Sequence, residues 1–198
     1  MKIQNSKHCK RVTISPGEYY VSNEDVLITT LLGSCVSACL YDPYNKITGM
    51  NHFLLSSKRY SKDIPMCITD AGRYGIHSME LLINEMLKRG AERGNLKAKA
   101  FGGGSVLKTI GSLASNYFVV GEVNIRFIRE FLHNENIPLV ASDLGGTAGR
   151  VIYFYSGDFS VHVRKMAKTG GRLVKREEQY WKKSIKKQEE AETRIDLW

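Results

Sequence analysis

The order of apolar and polar positions along the chain predicts strands toward both ends and two helices between them. Glu24 to Thr30 is a short apolar run that reads as a strand, and Val36 to Tyr41 continues as a second strand of apolar and small residues. Between them, Leu31-Leu32-Gly33-Ser34-Cys35 forms a bend. Asp42-Pro43-Tyr44-Asn45 is a strong turn signal, because proline presets its own φ while Asp and Asn side chains bond nearby backbone. Ile47 to Leu55 then reads as the hairpin partner of the second strand. Within Arg11 to Tyr20, Pro16-Gly17 marks an earlier turn.

Ser56 to Tyr74 is polar and predicts a loop. Ile76, Met79, Leu82, Ile83, Met86 and Leu87 recur at helical spacing until Gly90 stops the helix. Lys97 to Phe101 reads as a strand running into Gly102-Gly103-Gly104. Gly121 to Glu135 reads as a second helix with Val123, Phe127, Ile128 and Phe131 on one side. Ile137 to Ser142 and Arg150 to Tyr155 are predicted strands flanking Asp143-Leu144-Gly145-Gly146, and Ser156-Gly157-Asp158 turns the chain into a last strand, Phe159 to Val163. This order predicts an α+β or mixed α/β fold, without internal repeats.

The chain of 198 residues is long enough for one well-buried core, so one domain over residues 1–166 is expected. Residues 167–198 change character: Thr169-Gly170-Gly171 reads as a hinge, followed by a basic C-terminal tail, either an exposed helix or a disordered, solvated segment. The formal net charge of +9 invites a nucleic-acid reading, yet over half of the excess falls between Arg164 and Trp198. No run interleaves basic residues with stacking aromatics, so no nucleic-acid partner is expected. The opening segment lacks an apolar signal core and no stretch reaches membrane-spanning length, which predicts a cytoplasmic protein without membrane insertion. In that compartment Cys9, Cys35, Cys39 and Cys67 are expected as thiols, and their irregular spacing offers no zinc site.

Gly102-Gly103-Gly104 with Lys108-Thr109 fails as a phosphate loop, since Leu107 stands where the lysine needs a preceding glycine. The glycines read as a tight turn whose amides either line a substrate pocket or do nothing more than turn the chain. Cys35 is the candidate nucleophile, because Gly-Ser-Cys at a strand junction places a thiol where backbone amides converge on a developing oxyanion. Cys39, further along the same strand face, is expected to be buried and inert. His52, between Asn51 and Phe53 on the partner strand, is the nearest imidazole able to take the thiol proton. His8, His77, His133 and His162 read as surface or packing residues. Thr29 or Thr30 offers a hydroxyl to hold the ring in one tautomer, and the residues alone do not choose between them.

Thr29-Thr30-Leu31-Leu32-Gly33-Ser34-Cys35-Val36, Cys39-Leu40-Tyr41-Asp42-Pro43 and Gly49-Met50-Asn51-His52-Phe53 together resemble the signature of the CheD family. The resemblance continues through Arg73-Tyr74-Gly75, Ala100-Phe101-Gly102-Gly103-Gly104, Asp143-Leu144-Gly145-Gly146 and Gly149-Arg150, and spans about Pro16 to Val163. It implies a chemoreceptor glutamine deamidase with Cys35 as nucleophile, His52 as base and Thr29 completing the triad. The implied reaction passes through a cysteine thioester and requires no metal or organic cofactor. The expected substrate-binding residues are Ser34, Asn51, Phe101, Gly102 and Gly103. The implied partners are the cytoplasmic helices of chemoreceptors and the phosphatase CheC, and the expected state is a monomer. The implied fold is α+β, with packed mixed β-sheets and outer helices similar to the catalytic domain of cytotoxic necrotizing factors. Two departures stand out: Leu54-Leu55 meets Ser56-Ser57 where the family commonly has Leu-Pro, and the basic tail exceeds the usual core. The competing readings are a cysteine hydrolase of another amide or ester, and a non-catalytic adaptor that binds CheC or receptor helices.

Overall fold

The computed structural model describes residues 1–5, 10–55, 66, 69–105, 114–166 and 179. Among these, the strands are β1 (Lys2–Asn5), β2 (Lys10–Thr13), β3 (Tyr19–Ser22), β4 (Val26–Leu32), β5 (Val36–Asp42), β6 (Ile47–Asn51), β7 (Lys97–Gly102), β8 (Leu139–Leu144), β9 (Arg150–Tyr155) and β10 (Val161–Lys165); the α-helices are α1 (Asp70–Lys88) and α2 (Ala114–Asn134), and a 3-10 turn spans Arg93–Asn95. One sheet has the order β1-β2-β4-β9-β10 and the other β3-β6-β5-β7-β8. Both are mixed: β2 runs parallel to β4 and β7 parallel to β8, and the other pairs are antiparallel. The fold is α+β.

Why the second sheet lies in the middle follows from β5, in which every residue is buried. A strand apolar on both faces must be covered on both. Val36, Ala38 and Leu40 pack toward α1 and α2, among Met79, Leu82, Ile83, Met86, Phe127 and Phe131. Cys35, Cys39 and Tyr41 point the other way, into a core shared with Val26, Ile28 and Leu32 of β4 and Ile152 and Phe154 of β9. The layers are therefore sheet, sheet, helices. At one end Tyr41 stacks on Phe159 with ring centroids 4.7 Å apart, and the Lys99 ammonium bridges them, bonding the Phe159 carbonyl at 2.6 Å.

The predicted strands and helices occur, with shifted bounds and three early strands, β1 to β3, that the pattern did not predict. α1 begins at Asp70, inside the segment predicted as loop, because Thr69 caps it by accepting a bond from Gly72 N at 3.0 Å. Two helical glycines made these boundaries hard to see. A Cβ on Gly75 would lie 2.5 Å from the Phe127 ring, and one on Gly121 2.7 Å from the Gly103 carbonyl. These glycines allow close packing and break neither helix. The Thr169-Gly170-Gly171 hinge and most of the tail, with His8, Cys9 and Cys67, lie outside the described residues.

Candidate active site

The site is assembled by the β5–β6 hairpin and its extension. Val36 and Phe53 exchange backbone bonds of 3.0 and 2.9 Å, continuing the register in which Cys39 faces Met50. In that register Ser37 faces His52, and Cys35 lies diagonally across from His52 on the same face of the sheet. Diagonal neighbours of this kind have Cα atoms about 7–8 Å apart, within reach of an imidazole and a thiol. The His52 backbone is fixed by the Pro16-Gly17 turn: its N–H donates to Glu18 O at 3.0 Å, and its carbonyl accepts from Gly17 N at 2.7 Å. Cys35 and His52 are 2% and 1% exposed, so both side chains sit beneath the surface, between the sheets.

Thr30 reaches the ring from the facing sheet. Its Oγ1 lies 2.7 Å from His52 Nδ1 and 2.8 Å from the carbonyl oxygen of Ile14. A carbonyl only accepts, so the single hydroxyl proton goes to Ile14, and the oxygen must accept a proton from Nδ1. That assigns the tautomer: Nδ1 carries hydrogen, and Nε2 carries the basic lone pair. Period-2 alternation explains the choice of threonine. Val26, Ile28, Thr30 and Leu32 share the face turned toward β5, while Thr29 points to the other face. The Thr29 hydroxyl donates to Ile152 O at 2.8 Å. The expectation that Thr29 holds the ring is thus corrected to Thr30.

The Gly33-Ser34-Cys35 bend is held by its carbonyls. Gly33 O accepts from Gly104 N at 2.6 Å, Cys35 O from Gly103 N at 2.8 Å, and Ser34 O from the side-chain amide of Asn124 at 3.0 Å. The amides of Gly103 and Gly104 are therefore engaged with the bend, which corrects the expectation that they line a substrate pocket. Gly102 has φ +115°, and a Cβ there would lie 2.1 Å from the Cys35 carbonyl oxygen. Behind this loop stands a second support. The Arg150 guanidinium, buried at the end of β9, bonds Asp143 Oδ1 at 2.9 Å and the carbonyls of Asp143 and Gly145. Gly145 N in turn donates to Gly102 O at 2.8 Å. Burial pushes the guanidinium pKa down, and the Asp143 carboxylate opposes that shift.

A family model described as CheD chemotactic sensory transduction matches residues 58–165. The chain is 52% identical over 188 residues to the probable chemoreceptor glutamine deamidase CheD 1 of Geobacter sulfurreducens, covering 94% of this chain and 93% of that relative. The chain belongs to the CheD family. The probable chemoreceptor glutamine deamidase CheD 2 of Shewanella oneidensis is 50% identical over 76% of this chain and 74% of its own. The probable chemoreceptor glutamine deamidase CheD of Methylobacillus flagellatus is 44% identical over 89% and 84%. A solved structure, the Bacillus licheniformis hypothetical protein YfiH, aligns over 63% of this chain and 49% of its own at a TM-score of 0.35 and 14% identity, too slight a likeness to assign a fold.

Of the remaining residues singled out within the CheD signature, Ser34 and Phe101 lie at the site. Phe101 pairs with Ser37 and packs in the core that contains Cys35. Asn51 does not join them. Its Oδ1 accepts from Ala38 N at 2.9 Å and its Nδ2 reaches Ser78 and Met79 of α1, on the face turned from His52, so it latches strand to helix. Cys39 is fully buried, and burial pushes its thiol well above the ordinary range, against smaller opposing effects of Ser37 and Lys99. His77, His133 and His162 are exposed. Asn124 was missed, although it interrupts the apolar stripe of α2 formed by Val120, Val123, Phe127 and Phe131. Among the described residues no helix is long and apolar enough to cross a membrane.

Proposed function

We propose that the protein deamidates glutamine side chains of chemoreceptors, with Cys35 as nucleophile, His52 as general base and acid, and Thr30 holding the imidazole. The observation that carries this reading is the Thr30 contact, which leaves Nε2 as the basic nitrogen on the face that Cys35 shares. Nε2 takes the thiol proton, and sulfur attacks the carbonyl carbon of the glutamine amide. The oxyanion forms beside the backbone of the Gly33-Ser34-Cys35 bend, whose carbonyls are turned into other bonds. The imidazolium then gives its proton to the departing nitrogen, ammonia leaves, and a thioester remains. Water deprotonated by His52 cleaves the thioester to glutamate and restores the thiol. The balance closes with water consumed and ammonia released.

Depth supports a side-chain substrate. A thiol 2% exposed admits a slender protruding group more readily than a main-chain peptide flanked by its own side chains. The family relatives are named chemoreceptor glutamine deamidases, which supports receptor glutamines as the substrate. The receptor's cytoplasmic helices are the expected docking partner, CheC is a candidate second partner, and residues 1–166 are the expected catalytic unit.

The test is incubation with a receptor cytoplasmic fragment followed by peptide mapping. Each converted glutamine gains about one dalton, since an amide becomes an acid. Cys35→Ala and His52→Ala are expected to abolish the gain, and Cys39→Ala to preserve it. Mass loss at a glutamyl methyl ester, with no gain at glutamine, would favour an esterase. Full receptor modification by Cys35→Ala would overturn the catalytic reading.

A further inference from the structure

Asn124 is a fully buried amide in the middle of an otherwise apolar helical stripe. An unsatisfied amide there would be costly, so its partners define its purpose. Oδ1 accepts from Leu55 N at 2.8 Å, and Nδ2 donates to Ser34 O at 3.0 Å. Leu55 lies three residues beyond His52, and Ser34 is the residue before Cys35. One side chain on α2 thus spans the strand that carries the imidazole and the bend that carries the thiol. The sheet hydrogen bonds between these segments begin only at Val36 and Phe53, so Asn124 closes the open end of the hairpin beyond that pair.

We infer that Asn124 is a positioning residue that sets the Cys35 sulfur and its own backbone N–H against His52; this rests on the catalytic reading of Cys35. In a planar trans peptide the N–H of Cys35 points opposite to the carbonyl of Ser34. Drawing that carbonyl toward Nδ2 turns the Cys35 N–H away from α2, on the side of the bend opposite the helix. The same peptide unit determines where the Cys35 side chain leaves the chain. Asn124 therefore acts through geometry at the reacting residue, without touching substrate.

The chemistry of the two bonds separates them. Asn124→Asp keeps an acceptor for Leu55 N and removes the donor to Ser34 O; Asn124→Ala removes both and leaves room for water. Two measurements are made on the full chain. The first is the rate of Cys35 alkylation by iodoacetamide across pH, read at its own peptide by mass spectrometry. The second is kcat and KM for a receptor fragment, with thermal melting to confirm folding and His133→Ala, exposed on the same helix, as control. For folded Asn124→Asp we expect kcat to fall by on the order of 100-fold with KM within about threefold, as for a reacting group displaced by an ångström. The pH profile of Cys35 alkylation shifts in the same variant, and Asn124→Ala gives a folded protein with the same direction of change. Unchanged kcat and alkylation profile in either folded variant would overturn the inference. So would a kcat loss no larger than the unfolded fraction. The alkylation measurement needs no substrate: a shifted profile together with activity retained by Cys35→Ala would leave the positioning role standing and remove the deamidase reading.

Discussion

The hydroxyl of Thr30 has one proton to give, and Ile14 receives it. That small fact fixes which imidazole nitrogen is basic, and it separates two adjacent threonines that composition cannot tell apart. Thr30→Val keeps shape and burial but leaves Nδ1–H and the Ile14 carbonyl without this partner. Partners that fix a histidine tautomer typically matter by about 10- to 100-fold in activity, and that loss in kcat is expected here. Thr29→Val removes only a bond to Ile152, so about 1 kcal/mol of stability should go while turnover of the folded protein stays near wild type. Steady-state kinetics beside denaturant melts of the pair decide it; equal kcat losses would return the role to both residues. Cys39 makes the complementary point. It lies on β5, facing the same way as Cys35 in the preceding bend, and burial pushes its thiol well above the ordinary range, so residue type alone does not make a nucleophile.

At the scale of elements, the diagonal of Cys35 and His52 depends on the hairpin that sets their register, and Asp42 ties that hairpin down. Its carboxylate accepts from Tyr44 N, Asn45 N, Asn45 Nδ2 and Glu92 N, at 2.9 to 3.0 Å. Burial by itself would raise the Asp42 pKa, and these four donors hold it below the ordinary value instead. A folded-state pKa below the unfolded value of about 3.9 means stability that is present above that pH and lost as pH falls through the folded value. Asp42→Asn should therefore cost about 1–3 kcal/mol at pH 7, as for bonds to a charged group, and the gap to wild type should narrow below about pH 4. Urea melts at both pH values measure it, and a gap that widens in acid would refute the assignment. The hairpin was legible in the sequence because Asp42-Pro43-Tyr44-Asn45 is local chemistry, and so was its consequence that Cys35 and His52 lie diagonally across from one another on one face. The pairing of β4 with β9 joins residues far apart in sequence, and no local pattern announces it. The predicted helices start late, near Ile76 and at Gly121, because what lets Gly75 and Gly121 sit within helices, a neighbouring ring and a crossing carbonyl, lies in tertiary packing. Thr30 was within reach of the alternation in β4, and Asn124 within reach as a polar gap in an apolar stripe.

For the whole molecule, the helices cover only the outer face of the sheet that carries the hairpin, and the site sits in the seam between the two sheets. Every described strand and both described α-helices lie between Lys2 and Lys165, and among the described residues both hydrophobic cores fall within that span. The positive charge is distributed differently, with more than half of the net +9 located from Arg164 onward. The described elements and most of the net charge therefore fall in different parts of the chain. Ending the chain after Met166 should leave a cooperative melt within about 4 °C of the full protein, the shift expected for ~1 kcal/mol at this size. The kcat for receptor deamidation should be preserved. If the basic segment assists docking on an acidic receptor surface, KM of the full chain rises with added salt over the range where screening shortens to about 8 Å, and KM of the shortened chain does not. Loss of the cooperative melt on truncation would instead show that the last thirty or so residues belong to the folded unit, and that the boundary at Met166 is misplaced.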